Sequence, residues 1–229
     1  MKNNKCLLLS HVWIKEGQEY KKDIVDLCVR HFRENNEDVY LILSGHGDPI
    51  DPETAVLCDK VFWTSLDPSE VGKGHPKSVL SGLEHASEKG FTRVLKQRAD
   101  CIIAQKDCFG YYDGLMGDGR FLTDNEIGPK THPIGDLLMY GDMDIFLNGW
   151  NPSLWHKELD GVMNFNNTLS KDKFRDVRFK SISELKWVYL DAYWEEIISH
   201  NMEQDILDNN FHFGHFLWGK YSQRGQKYL

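Results

Sequence analysis

The stretch TRVLKQRADCII, residues 92–103, decides how this chain is read. Val94 and Leu95 are apolar, and so are Cys101, Ile102 and Ile103. Between them stand Lys96, Gln97, Arg98 and Asp100. This is the pattern of a buried strand that meets charge as it leaves the core. A carboxylate at such an exit can hold a divalent cation through hard oxygen ligands. An arginine beside it can grip a phosphate through two parallel N–H groups. The competing reading is a surface Arg–Asp pair that closes a strand.

The preceding segments supply the setting. KCLLLSHVW is a continuous apolar run and predicts a buried strand. EYKKDIVDLCVRHFREN places Ile24, Val25, Cys28 and Phe32 at helical spacing, with charge on the other face. DVYLILSGHGD predicts a second strand running into a glycine-rich loop, and DKVFWTS a short third one. HPKSVLSGLEHASEKG predicts a helix with Pro76 in its first turn, Val79, Leu80, Leu83 and Ala86 as its buried stripe, and Gly90 as its C-terminal cap. Strands alternating with helices predict an α/β fold with a mostly parallel central sheet flanked by helices on both faces. Such sheets bind ligands beyond the carboxyl ends of their strands. Ser10, His11, Ser44, Arg98 and Asp100 all fall at or just after strand ends, so they are expected to converge on one edge.

The second half is less regular. Residues 109–133 are rich in Gly, Asp and Tyr and predict loop with short strands. SISELKWVYLDAYWEEIISHNM predicts one long helix capped by Ser183, with Trp187, Leu190, Trp194, Ile197 and Ile198 on its apolar face. With 229 residues and no repeat or linker, the chain reads as one domain. Residues 1–105 make its regular half and 106–229 its less regular half.

Composition narrows the function classes. The formal net charge is −8 and no Lys/Arg-rich run stands out, which argues against sequence-independent nucleic-acid binding. An acidic chain binds an anion only through a local cation, a metal or helix N-termini. The five cysteines are odd in number and form no CxxC pair, as expected of reduced, buried thiols in a cytoplasmic protein. No apolar run approaches the roughly 20 residues of a membrane span.

Several motifs compete with plainer readings. VGKGHPKS has the look of a phosphate loop, but Pro76 stands where the glycine before Lys-Ser is required. What survives is a helix start near Pro76 that puts Lys77 and Ser78 in its first turn, suited to a pyrophosphate or simply capped. Asp142-Met143-Asp144 is a literal Asp-x-Asp, yet acidic residues are common at turns. Asp136 precedes the apolar run LLMYG; it suits either a helix N-cap or, with a pKa raised by partial burial, a general base. His212 and His215 can share a helix face, and His215 suits an ion's shell or a phosphate better than a structural zinc, for which no third ligand lies at the right spacing. No G-x-S-x-G supports a serine hydrolase.

Taken together, GHPKSVLSGLEHASEKGFTRVLKQRAD resembles the WavE-type lipopolysaccharide-synthesis glycosyltransferases. The match covers a Ser-x-x-x-Gly-Leu helix followed by a strand ending in Lys-x-Arg-x-Asp, here Lys96, Arg98 and Asp100. PIGDLLMYGDMDIFLNGW gives a second, looser match. The resemblance implies a GT-A-like fold and transfer of a sugar from a nucleotide-sugar donor to a hydroxyl acceptor of glycan or lipopolysaccharide type. It implies Mn²⁺ or Mg²⁺ on the donor diphosphate, held by Asp100; His215 is expected, from the FHFGH motif and not from the resemblance, to complete the ion's shell. Arg98 stands where the first acid of the Asp-x-Asp of GT-A enzymes belongs, so the two-carboxylate form of that site is incomplete. The resemblance further implies Asp136 as the base and Arg98 and Lys77 on the diphosphate, with residues 1–105 as the nucleotide-binding half and 106–229 as the acceptor-side half. By position alone, Ser10, His11 and Ser44 are expected to line the nucleotide pocket, with Trp13 stacked on the base. A nucleotidyltransferase and a nucleotide- or carbohydrate-binding domain without catalysis are the alternatives.

Overall fold

Two sheets share helix α1 between them. The computed structural model describes residues 4–36, 38–65, 71–124, 138–151, 153 and 176–210, and within these not the side chains of 11, 71–76, 124, 182 and 183. The main sheet holds β1 (Lys5–Ile14), β2 (Tyr40–Gly47), β3 (Lys60–Thr64), β4 (Arg93–Arg98), β6 (Phe121–Asp124), β7 (Leu138–Asp142) and β8 (Val177–Lys180), in the order β3-β2-β1-β4-β7-β6-β8. A second, two-stranded sheet pairs β5 (Cys101–Ile103) with β9 (Trp187–Tyr189). The left half, β3-β2-β1-β4, is parallel throughout; β7 then runs antiparallel to both β4 and β6, and β8 is again parallel to β6. The expected α/β architecture, a mostly parallel sheet with helices on both faces, is what the structure shows.

Alternation along each strand sorts the core. Leu7, Leu9, Leu41, Leu43 and Leu95 point to one face, where they pack on Val25, Val29 and Phe32 of α1 (Tyr20–Asn35) and on Tyr112 and Met116 of α4 (Cys108–Met116). Leu8, Ile42 and Val94 point to the other, against Val79, Leu83 and Ala86 of α3 (Val71–Glu88) and Phe146 of α5 (Met143–Gly149). The far side of α1, with Ile24, Leu27 and Cys28, carries the second sheet and the C-terminal helices α7 (Trp194–Ser199) and α8 (Glu203–Leu207). α2 (Pro52–Val56) and α6 (Ile182–Leu185) are short connectors.

Four local expectations need correction. The stretch 92–103 is not one strand: β4 ends at Arg98, and Ala99-Asp100 turn the chain into the second sheet. α3 begins at Val71, so Pro76 is its sixth residue and Lys77 lies in the second turn. A proline at that position has no N–H for the bond back to residue 72, which is the cost of an interior proline and not of a first-turn one. Residues 108–116 are helical where a loop was expected. The long helix expected over 182–202 breaks at Lys186, whose φ is +54°, because Trp187–Tyr189 is taken as a strand by β5 and then followed by a 3-10 turn, Leu190–Tyr193. Here the β-propensity of Trp-Val-Tyr and the available pairing edge outweigh the helical periodicity. The C-terminal cap at Gly90 is as expected: φ is +85°, and Phe91 N–H and Gly90 N–H donate to Ala86 and Ser87 carbonyls in a Schellman arrangement.

His31 joins the layers. Its Nδ1 lies 2.8 Å from the Ile206 carbonyl oxygen and its Nε2 3.0 Å from that of Ile103, fully buried. Burial lowers its pKa from the ordinary 6.5, and the two carbonyls act against that shift. A depressed histidine contributes stability that is present above the unfolded pKa and lost as pH falls. Between about pH 7.5 and 5.5 the wild-type melting temperature is therefore expected to fall more than that of His31→Gln. A wild type that gains on the variant in acid would show that the ring is charged in the fold.

Candidate active site

The carboxyl ends of β1, β2 and β4 form one rim. Ser10 pairs in register with Arg98, and the Ala99 N–H donates to the Ser10 carbonyl at 2.8 Å. A break of register between Leu9 and Val12 lets β1 continue past this point to pair with the end of β2. That end needs glycine. A Cβ on Gly45 would sit 2.5 Å from a Trp63 ring carbon, and Gly47, at φ +94°, would place one 2.0 Å from the Ile14 carbonyl oxygen. The glycine pair is thus part of β2 itself and not of a loop beyond it.

At the exit of β4, Arg98 and Asp100 bind each other side-on. Arg98 Nε–H donates to Asp100 Oδ1 at 2.8 Å and Nη2–H to Oδ2 at 2.6 Å. The Asp100 side chain is 3% exposed and that of Arg98 22%. Burial alone would pull the guanidinium pKa down; the Asp100 carboxylate more than offsets this and keeps Arg98 cationic. The Arg98 guanidinium carbon lies 5.2 Å from the centre of the Tyr189 ring. The Tyr189 hydroxyl donates to Asp191 Oδ2 at 3.1 Å, and Lys21, in the first turn of α1, stands 3.9 Å from the same oxygen. Tyr189, Asp191 and Lys21 were not legible as site residues; Tyr189 and Asp191 arrive through the β5–β9 pairing, which places Tyr189, 91 residues away, beside Arg98, and Lys21 comes from the first turn of α1.

The other expected site residues scatter. Ser10 and Ser44 alternate onto the α3 face of the sheet, and both hydroxyls are fully buried without a hydrogen-bond partner among the described residues. Trp13 is partly exposed; its ring stacks on His46 at 5.7 Å and receives Lys15 at 3.9 Å from a ring centre. Lys77 is exposed on α3, and His11 has its backbone in β1. Asp136 and His215 lie outside the described residues. The five cysteines are free thiols, and burial pushes Cys6, Cys58 and Cys108 up to about 12, so none of these three is a ready nucleophile.

Asp142-Met143-Asp144 sits at the opposite pole. β7 runs against β4, so Asp142 pairs with Arg93, the first residue of β4. Arg120 Nε–H donates to Asp142 at 2.7 Å and Nη2–H to Asp144 at 2.8 and 2.9 Å, while Arg93 Nη1–H donates to Asp113 at 2.7 Å. These acids neutralise arginines beside an open groove of about 670 Å³ lined by Lys5, Phe91, Arg93 and Met143. They do not meet the Arg98–Asp100 pair.

The described donors at the rim do not fit a divalent ion as they stand. Both Asp100 oxygens are engaged by one guanidinium, and no group of three His, Cys, Asp or Glu able to hold a metal occurs among the described residues.

No protein-family model matches the chain, and no curated protein does. Solved structures share its fold. A cytidylyltransferase from Leptospira borgpetersenii superposes with a TM-score of 0.55 at 9% identity, over 98% of this chain and 96% of that one. A glycosyltransferase involved in glycosylation of the major capsid of PBCV-1 superposes at 0.52 and 11% identity, over 98% of each chain. The glycosyltransferase GlyE of Streptococcus pneumoniae superposes at 0.53 and 10% identity; the match spans 97% of this chain but only 59% of GlyE. The fold is therefore the GT-A-like nucleotidyl- and glycosyltransferase fold.

Gln97 is a residue the sequence reading passed over. It is fully buried on the α1 face of β4, opposite Leu138, with neither amide atom hydrogen-bonded among the described residues. A buried amide left unpaired costs about 1–3 kcal/mol. Gln97→Leu is expected to raise the melting temperature by roughly 2 °C or more. A clear fall would show that the amide has a partner in solution.

Proposed function

We propose that the chain is a glycosyltransferase that moves a hexose-type sugar from a nucleotide-sugar donor to a hydroxyl acceptor of glycan or lipopolysaccharide type. The observation that carries this reading is the Arg98–Asp100 pair at the carboxyl rim of a GT-A-like sheet. In sheets of this kind ligands bind at that rim, where the strand order changes direction. The WavE-type resemblance, through Lys96, Arg98 and Asp100, supports the same assignment.

In the proposed reaction the acceptor oxygen forms a bond to the anomeric carbon. The bond from that carbon to the diphosphate oxygen breaks, and its electron pair leaves with the nucleoside diphosphate. Arg98 offsets the charge that develops there. In an inverting reaction the hydroxyl proton passes to a carboxylate, the role proposed for Asp136; β7, which follows it, enters the sheet opposite Gln97 at this same rim. Ser10, Ser44, His11 and Trp13 are proposed for the nucleoside side of the pocket and Lys77 for the phosphate side. Ser10 and Ser44 are buried, so they reach a ligand only if that burial is relieved.

A nucleotidyltransferase is the second reading, favoured by the full-length superposition on the cytidylyltransferase. The products separate the two. Incubated with UDP-, GDP-, CDP-, ADP- and dTDP-sugars, the protein is expected to release a nucleoside diphosphate from one of them, and Arg98→Ala to slow that release by about 10²–10³. Pyrophosphate released from a nucleoside triphosphate and a sugar phosphate, with no diphosphate from any donor, would replace this reading with the second.

A further inference from the structure

Arg98 has five N–H donors in a fixed planar fork. Two go to the oxygens of Asp100, and Nη2 makes a longer contact of 3.4 Å with the Tyr189 hydroxyl. The bonds to Asp100 use the Nε edge of the guanidinium. Nη1 is left over: it makes no hydrogen bond among the described residues. The plane is held by the Tyr189 ring, and that ring is held in turn by the bond from its hydroxyl to Asp191. The acid of the pair is fully buried and the cation only partly so: 3% against 22% exposure.

A metal ion would compete badly for Asp100. It would have to use the lone pairs that Arg98 leaves on a carboxylate only 3% exposed, and to meet the like charge of the guanidinium at close range. The arginine faces neither obstacle in meeting an anion. Its Nη1 keeps two N–H donors in the guanidinium plane for phosphate oxygens. Lys21, at the start of α1, stands 3.9 Å from Asp191 and offsets that carboxylate's charge.

We propose that Arg98 is a ready-made diphosphate clamp that replaces the divalent cation at this rim, with Asp100 and Tyr189 as the positioning residues that aim it. Arg98 meets the phosphates of a nucleoside diphosphate through its two Nη1–H groups. Asp100 fixes the guanidinium from the opposite side, and the Tyr189 ring keeps its plane from turning. The inference rests on the reading of this rim as the donor site.

Calorimetric titration with UDP, GDP, CDP, ADP and dTDP, and with the matching monophosphates, tests it in EDTA and in Mn²⁺. At least one diphosphate is expected to bind in EDTA with a dissociation constant within about tenfold of its value in Mn²⁺. Arg98→Lys keeps the charge but loses the fork, and is expected to weaken that diphosphate by about tenfold or more and the monophosphate less. Tyr189→Phe, which frees the ring from Asp191, is expected to lower the affinity slightly, and Tyr189→Leu, which removes the ring face as well, to lower it severalfold. Binding that appears only with Mn²⁺ overturns the clamp and leaves the transferase reading standing. Absence of any nucleotide binding in either buffer overturns both. Equal loss of diphosphate and monophosphate in Arg98→Lys also overturns the clamp.

Discussion

The side-on bond between Arg98 and Asp100 sits where the chain leaves one sheet for another, and much of the architecture meets at that point. Ala99 and Asp100 make the turn. The Ala99 N–H is held by the Ser10 carbonyl of β1, and the Asp100 carbonyl accepts from Leu190 N–H at the start of the C-terminal elements. The turn thus stitches the main sheet to the second one, and the ion pair fills it with charge that is satisfied internally. A lone aspartate at this depth would be costly; removing one partner of a buried pair typically costs about 3–5 kcal/mol. The same pair that closes the turn leaves one nitrogen of a guanidinium unspent at the rim.

The reversal of β7 is the second constraint. Because β7 is antiparallel to β4, its beginning lies at the rim and its end at the far pole. Two acidic clusters that look alike in the sequence are thereby separated by the length of a strand. Asp100 ends beside Arg98 with both oxygens buried. Asp142 and Asp144 end among Arg93 and Arg120, in partly exposed pairs that stabilise the base of the sheet only modestly, as surface pairs do. One direction of pairing therefore decides which acids face the ligand-binding side.

Much of this was legible in the sequence, and the reasons are physical. Buried parallel strands are continuous apolar runs, so β1, β2 and β4 announced themselves, and the stripe Val79, Leu83, Ala86 gave α3 its face. Arg98 and Asp100 stood out because charge directly after such a run has to be explained. What escaped was set by contacts distant in sequence. Trp187–Tyr189 has helical spacing with its neighbours and becomes a strand only because β5 offers an edge, so Tyr189 and Asp191 could not be placed beside Arg98 in advance. The mutual engagement of Arg98 and Asp100 also escaped: spacing put them side by side but did not say that they spend their hydrogen bonds on each other.

The central claim is that the donor diphosphate docks on the unspent Nη1 of Arg98 at the carboxyl rim of the parallel strands. A crystal structure of the protein with a bound nucleoside diphosphate tests it most directly. The account predicts phosphate oxygens within hydrogen-bond reach of Arg98 Nη1, about 2.7–3.2 Å, with the Asp100 pair intact. Phosphates bound in the groove beside Arg93 and Asp142, or an Asp100 carboxylate turned away from Arg98 toward a metal ion, would contradict it.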